Sequence, residues 1–281
     1  MAGVAGIDPT VIVLLRRIGP RMLLEVAWSL LSGRQRSAAA DARRALARLD
    51  RPLRIEGEDF IPAREPFALV ANHYQAPGLW IPWIAAAISD AVARAREPQV
   101  RELHWLVLSE WRWFQLGPWW VANPVTSLLF PRACQTWGLV GVPARTSDVA
   151  GRAAGLRRAF TYLGLRADRQ TYTAEPIGLF PEGRATIALA EARPGSGAFL
   201  HRVSMLEVPV LPVGVHQEGN TIVVRFGPAF LLGQAPVARQ GELDRWARER
   251  VMSAIGHLLP REMWGAYAET MAGEDGRLPD S

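Results

Sequence analysis

An α/β domain with a largely parallel sheet flanked by helices is what this sequence predicts, and three observations carry the prediction. Beyond Pro52 the chain breaks into short, continuous apolar runs, the signature of strands buried on both faces. Stretches of helical period separate those runs, as the crossovers of a parallel sheet require. A length of 281 residues, 49% of them apolar and 21% charged, is enough to bury one sizeable core.

In chain order, the first element is an apolar stretch, Val11–Leu31. It has the length of a membrane span but carries Arg16, Arg17, Arg21 and Glu25, with Pro20 in its middle. Charges there are costly at a bilayer centre, so the stretch reads either as an amphipathic helix or helix pair lying in the interface or as an ordinary amphipathic helix packed on the domain. A basic helix, Ser37–Leu49, continues it. No basic stretch precedes Val11–Leu15, so the segment is not read as a signal peptide. Residues 1–50 are thus assigned to membrane-associating helices and residues 51–281 to the α/β domain.

Within that domain the candidate strands are Phe67–Ala71, Trp105–Leu108, Leu139–Val142, Ile177–Phe180, Val208–Val215 and Thr221–Phe226. The candidate helices are Trp80–Arg96, Ser127–Trp137, Val149–Leu163, Gly197–Met205 and Glu242–Leu258. Glu218-Gly219-Asn220 separates the last two strands and predicts a hairpin at one end of the sheet.

Composition excludes several chemistries. Every basic residue is arginine, which removes a P-loop and any Schiff-base mechanism. The single cysteine, Cys134, allows neither an intrachain disulfide nor a cysteine-rich zinc site and fits a reducing compartment. His73, His104, His201, His216 and His257 show no metal-ligand spacing, so no metal is expected. Gly195-Ser196-Gly197 is preceded by proline and is not a serine-hydrolase elbow. The arginines are spread without a concentrated run, which argues against nucleic acid, while a net charge of +5 favours anionic surfaces. Eight of the eleven tryptophans lie between Trp80 and Trp137. Adjacent indoles such as Trp119-Trp120 suit a membrane interface, and a core can absorb others of the cluster.

Two loops follow a candidate strand and precede a helix, where open α/β sheets place their sites. One is Ala71-Asn72-His73-Tyr74-Gln75-Ala76-Pro77-Gly78, whose histidine can act as a general base near neutral pH. The other is Leu179-Phe180-Pro181-Glu182-Gly183-Arg184, which offers a carboxylate, open backbone N–H groups and a cation.

In order and spacing, Asn72-His73, Gly141-Val142-Pro143-Ala144-Arg145, Phe180-Pro181-Glu182-Gly183 and Val208-Pro209-Val210-Leu211-Pro212-Val213 resemble the four blocks of the lysophosphatidate (glycerolipid) acyltransferase superfamily. The resemblance runs from about Arg54 to Phe230. It implies a glycerol-3-phosphate acyltransferase-like fold and transfer of a fatty acyl group from acyl-CoA or acyl carrier protein to a hydroxyl of a lysophospholipid or related acceptor. The partners it implies are membrane lipids and that donor, used as co-substrate with no further cofactor, at the cytoplasmic face of the membrane. It makes His73 the base and Asn72, Arg145, Gly183 and Arg184 the substrate-binding residues.

Two departures bear on mechanism. The first block of the family is His-x4-Asp, and the matching position here is Gly78, with no acid anywhere from Asn72 to Ser89. Glu182, on the neighbouring loop, is the expected stand-in to orient His73. In the third block the family has Thr-Arg-Ser after the glycine, whereas this chain has Arg184-Ala185-Thr186, so its arginine comes one position early. Both losses keep open a second reading, a lipid- or phosphate-binding protein on the same scaffold. A third reading is an unrelated α/β protein at a membrane.

Overall fold

A computed structural model describes residues 19–275, except 77–78, 80, 109–111, 117–118, 123, 144–147, 166–173 and 237–238. The side chains of 109–128 and 274–275 are also outside the description. The chain opens with helices α1 (Pro20–Ser32) and α2 (Ala38–Leu46), then strands β1 (Leu53–Glu56) and β2 (Ala68–Ala71). Next come α3 (Ile81–Ala95), β3 (His104–Leu108), β4 (Arg112–Leu116), β5 (Trp119–Ala122), α4 (Pro124–Trp137) and β6 (Val140–Val142). The remainder is α5 (Val149–Tyr162), β7 (Ile177–Leu179), α6 (Ser196–Ser204), β8 (Val210–Glu218), β9 (Thr221–Phe226), α7 (Gln240–Gly256) and α8 (Ala268–Asp275).

Seven strands form one sheet in the order β1-β9-β8-β2-β7-β3-β6. Every neighbouring pair is parallel except β8–β9, so the sheet is largely parallel, as the apolar runs predict. All four residues of β2 are buried, as are the first seven of β8, because helices cover both faces. Phe67, Ile84, Leu200 and Leu211 anchor the core around these strands.

The six candidate strands and five candidate helices are present, Thr221–Phe226 with the same ends and the others with ends shifted. The β8–β9 hairpin turns through Gly219 at φ 58, but it is not at the sheet's edge. The short strand β1 pairs outside it, Leu53 to Ile222 through Glu56 to Arg225. An antiparallel hairpin, β4–β5, occupies the tryptophan-rich stretch where no strand is predicted.

The N-terminal segment divides in two. The basic helix α2 is tied into the body of the fold: Ser37 caps it by accepting from Ala40 N–H at 3.0 Å and donates to Glu102. Arg43 pairs with Asp90 at 2.9 Å, and Asp41 is held by Arg36 at 2.6 Å and by the Trp137 indole N–H at 2.8 Å. Helix α1 instead shows Leu24, Trp28 and Leu31 at 72, 66 and 76% exposure. Their i, i+4, i+7 spacing puts them on one face. Among the tryptophans with described side chains, Trp83 and Trp105 are core residues, and Trp105 donates to Ser89 at 2.9 Å. No helix among the described residues is long and apolar enough to cross a membrane.

Candidate active site

Strands β2 and β7 are hydrogen-bonded neighbours, Ala68 to Ile177 through Val70 to Leu179. Parallel pairing puts their carboxyl ends side by side, so the loop bearing His73 and the turn bearing Glu182 must meet. They do so through a short parallel ladder. Thr186 N–H donates to His73 C=O and Gln75 N–H to Thr186 C=O, both at 3.0 Å.

Asn72 closes the other flank. Its Nδ2 donates to Val215 C=O at 2.8 Å and its Oδ1 accepts Val215 N–H at 2.7 Å. The β2–β8 register ends at Ala71 and Val213, so this side chain extends the ladder by one more pairing. Asn72 is 3% exposed with its amide bonded at both ends. It is a fastener between strands, which corrects its assignment as a substrate-binding group.

Glu182 is 2% exposed and sits at the junction. Its Oε2 accepts the backbone N–H of His73; its Oε1 accepts Ala190 N–H at 2.7 Å and the Thr186 hydroxyl at 3.2 Å. The carboxylate therefore grips the main chain of His73 and makes no hydrogen bond to the ring. That corrects the expectation that it orients the imidazole. Burial pushes the Glu182 pKa above its ordinary value, against the opposing pull of the donors at Ala190, His73 and Thr186 and the charge of Arg184.

The imidazole of His73 stands edge-on to Phe180, centroids 4.9 Å apart, and Phe180 stacks on Trp105 at 4.7 Å. Among the described residues its Nδ1 is buried without a hydrogen-bond partner. Burial holds the His73 pKa below its ordinary 6.5, and the nearby Arg193 guanidinium acts in the same direction. The ring is thus biased toward the neutral form a general base needs.

Arg193 is the site residue that sequence reasoning missed. Its backbone N–H donates to Pro181 C=O at 2.8 Å, folding the segment back over the Glu182 turn. Gly183 lies beneath it at φ 59, and a Cβ there would stand 2.4 Å from Arg193 Nε. The glycine is needed twice, for its backbone conformation and for that approach. Nothing in the sequence marks that an arginine ten residues downstream returns to this turn. Arg184 is exposed on the same turn. Arg145 and Gly78 lie outside the described residues. Among the described residues no cluster of histidine, cysteine and acid side chains could hold a metal ion.

The fold and this pair of loops define an α/β protein with a histidine-centred candidate site at the carboxyl ends of adjacent central strands. Among solved structures the chain is similar to the 1-acyl-sn-glycerophosphate (LPA) acyltransferase PlsC from Thermotoga maritima. The identity is 16%, the TM-score is 0.45, and 88% of each chain is covered. No protein-family model and no curated protein matches the chain.

Proposed function

We propose that the chain is an acyltransferase moving a fatty acyl group from a thioester donor, acyl-CoA or acyl carrier protein, to a hydroxyl of a lysophospholipid or related lipid at a membrane surface. The four sequence blocks support this reading, and the observation that carries it is the meeting of His73 with the Glu182-Gly183 turn. In the proposed reaction the acceptor oxygen attacks the thioester carbonyl carbon while the His73 ring takes the hydroxyl proton. Collapse of the tetrahedral adduct breaks the carbon–sulfur bond, and the proton passes to the departing thiolate. Glu182 acts through the backbone, fixing where the ring stands. Arg184, Arg193 and, on the resemblance, Arg145 supply positive charge for an anionic headgroup. Exposed Leu24, Trp28 and Leu31 of α1 supply an interfacial face of the kind that lies on a bilayer.

One observation favours the second reading, a lipid- or phosphate-binding protein with impaired chemistry. Among the described residues His73 Nδ1 has no partner to stabilise the imidazolium that base catalysis creates. Incubation of the protein with radiolabelled acyl-CoA and a panel of lysolipids separates the two. The wild type forms labelled diacyl product and His73→Ala forms none. The substitution leaves the fold intact, since it also removes an unpartnered buried nitrogen. Turnover surviving in His73→Ala within a few-fold removes His73 from the mechanism.

A further inference from the structure

The Arg193 guanidinium stands over Gly183 on the Glu182 turn, yet among the described residues it carries no hydrogen bond and no ion pair of its own. A long side chain without partners is placed by its backbone. Its position therefore rests on whatever fixes the main chain from Leu189 to Gly195.

That segment is held from the C-terminal part of the chain. Leu189 N–H donates to Met263 C=O and Ala266 N–H to Leu189 C=O, both at 2.9 Å. Ala192 N–H donates to the Tyr267 phenol oxygen at 3.0 Å, and Ala192 C=O accepts Arg248 Nη1 of α7 at 2.9 Å. Arg193 N–H goes to Pro181, and Arg193 C=O accepts the Ser196 hydroxyl at 2.7 Å, so both peptide units flanking its Cα are pinned. The holding groups are themselves fixed. Tyr267 is buried, and Arg248 pairs with Asp244 at 3.0 Å. The Trp264 indole donates to Gly256 C=O at the end of α7 at 3.0 Å. Gly265, at φ 48, lets the two segments meet, since a Cβ there would stand 2.1 Å from Leu189 O.

We propose that Tyr267 and Arg248 are positioning residues for the candidate site: acting through the main chain at Ala192, they set where the Arg193 guanidinium stands relative to His73. Both lie beyond the span, Arg54 to Phe230, that carries the sequence resemblance. The catalytic consequence rests on the proposed acyl transfer, whereas the positioning does not.

The His73 ring reports on that guanidinium. Burial and, after it, the Arg193 charge hold the His73 pKa down. Among the described residues the other groups close by act differently. Glu182 is bonded to the His73 backbone N–H, Arg184 lies exposed on the same turn, burial keeps Tyr74 protonated, and Phe180 and Trp105 are uncharged.

The test follows the His73 imidazole resonances against pH in the full chain, assigned by comparison with His73→Gln. Tyr267→Phe removes one oxygen, keeps the ring in the core and leaves Ala192 N–H without its acceptor. Arg248→Met releases Ala192 C=O from α7 and reads the same segment should Tyr267→Phe fail to fold. Each variant moves the His73 midpoint upward, in the direction of Arg193→Gln and by less, because the guanidinium leaves its place near the ring. Arg248→Lys, which keeps a donor for Ala192 C=O, titrates as the wild type does. In an Arg193→Gln background neither Tyr267→Phe nor Arg248→Met moves the midpoint further, whereas general loosening around the ring would raise it in either background. With an anionic acceptor the same two variants raise KM several-fold, as weakened headgroup binding requires. A shifted midpoint in a protein without turnover supports the positioning and removes only the acyltransferase reading. Turnover with an unmoved midpoint in both variants overturns the positioning and leaves that reading standing. A shift that survives undiminished in the Arg193→Gln background also overturns the proposal.

Discussion

Glu182→Gln separates a strut from a catalytic partner, because the two roles predict different damage. In the wild type each carboxylate oxygen accepts a backbone N–H, from His73 on one side and Ala190 on the other. A glutamine has one oxygen, so either orientation of its amide turns an NH2 against one of those N–H groups. One hydrogen bond to a charged acceptor, about 1.5–3 kcal/mol, becomes a neutral one. The other is lost, leaving a buried donor unpaired at about 1–3 kcal/mol. Relief of the carboxylate's own desolvation offsets part of this, for a net loss of about 1–3 kcal/mol. The raised pKa fixes the sign of its pH dependence. A carboxyl whose pKa is higher in the folded state contributes stability that is full below its unfolded value of 4.5 and lost as pH rises through the folded value. The glutamine has no such loss, so the penalty of the variant shrinks as pH rises through that window. Urea denaturation at several pH values reads this as a drop in midpoint at constant slope. Stability within about 0.5 kcal/mol of wild type at every pH refutes the strut.

The His73 resonances should titrate with a midpoint below 6.5, and Arg193→Gln should raise it, because the guanidinium opposes the charged ring. With its folded pKa depressed, His73 contributes stability that is present above 6.5 and lost as pH falls through the folded value; His73→Gln should flatten that acid limb in denaturation, and an unchanged limb counts against it. Asn72→Ala should cost about 2–4 kcal/mol, since it strands both backbone groups of Val215; a cost below about 1 kcal/mol in urea melts would mean water or another group satisfies them. Replacing Leu24, Trp28 and Leu31 together with serine should weaken sedimentation with anionic liposomes at least several-fold while the melting curve stays put, and unchanged sedimentation would remove α1 from any membrane contact.

How much of this was legible in the sequence follows from what each residue has to satisfy. Strands β2, β7 and β8 announce themselves because a strand covered on both faces is apolar without interruption. Their carboxyl-end loops could then be picked out, and so could their neighbourhood. Strand β1 is four residues long and alternates Leu-Arg-Ile-Glu, too brief for a period to register. The β4–β5 hairpin was hidden by its own composition, because Trp119-Trp120 reads as surface chemistry before it reads as a strand. At the site, residue types were legible but partners were not. A buried carboxylate beside a histidine suggests contact with the ring, and only coordinates tell the ring from the backbone N–H. Asn72 left a faint signal: a polar residue ending a fully buried strand must satisfy its amide inside the protein, most readily on a neighbouring strand.

The electrostatics of His73 run opposite to those of a base held by a carboxylate. In a base–orienter pair the carboxylate stabilises the imidazolium as it forms, so the proton is taken with electrostatic help. Among the described residues the acid at the junction, Glu182, is spent on backbone donors, and the charge that reaches the ring is the positive Arg193. The ring rests neutral and available, but it is a weaker base and its charged form is opposed. Brønsted behaviour makes that trade costly unless negative charge arrives with the ligand. An anionic headgroup beside Arg193 would neutralise the guanidinium and lift the His73 pKa toward its ordinary value, so ligand binding and base strength become one event. This coupling is a hypothesis, and a titration can sink it. Saturating glycerol phosphate should move the His73 midpoint upward in the wild type and leave it in place in Arg193→Gln. If the midpoint stays put in both, the imidazolium goes uncompensated with ligand bound, and the binding-protein reading gains at the enzyme's expense.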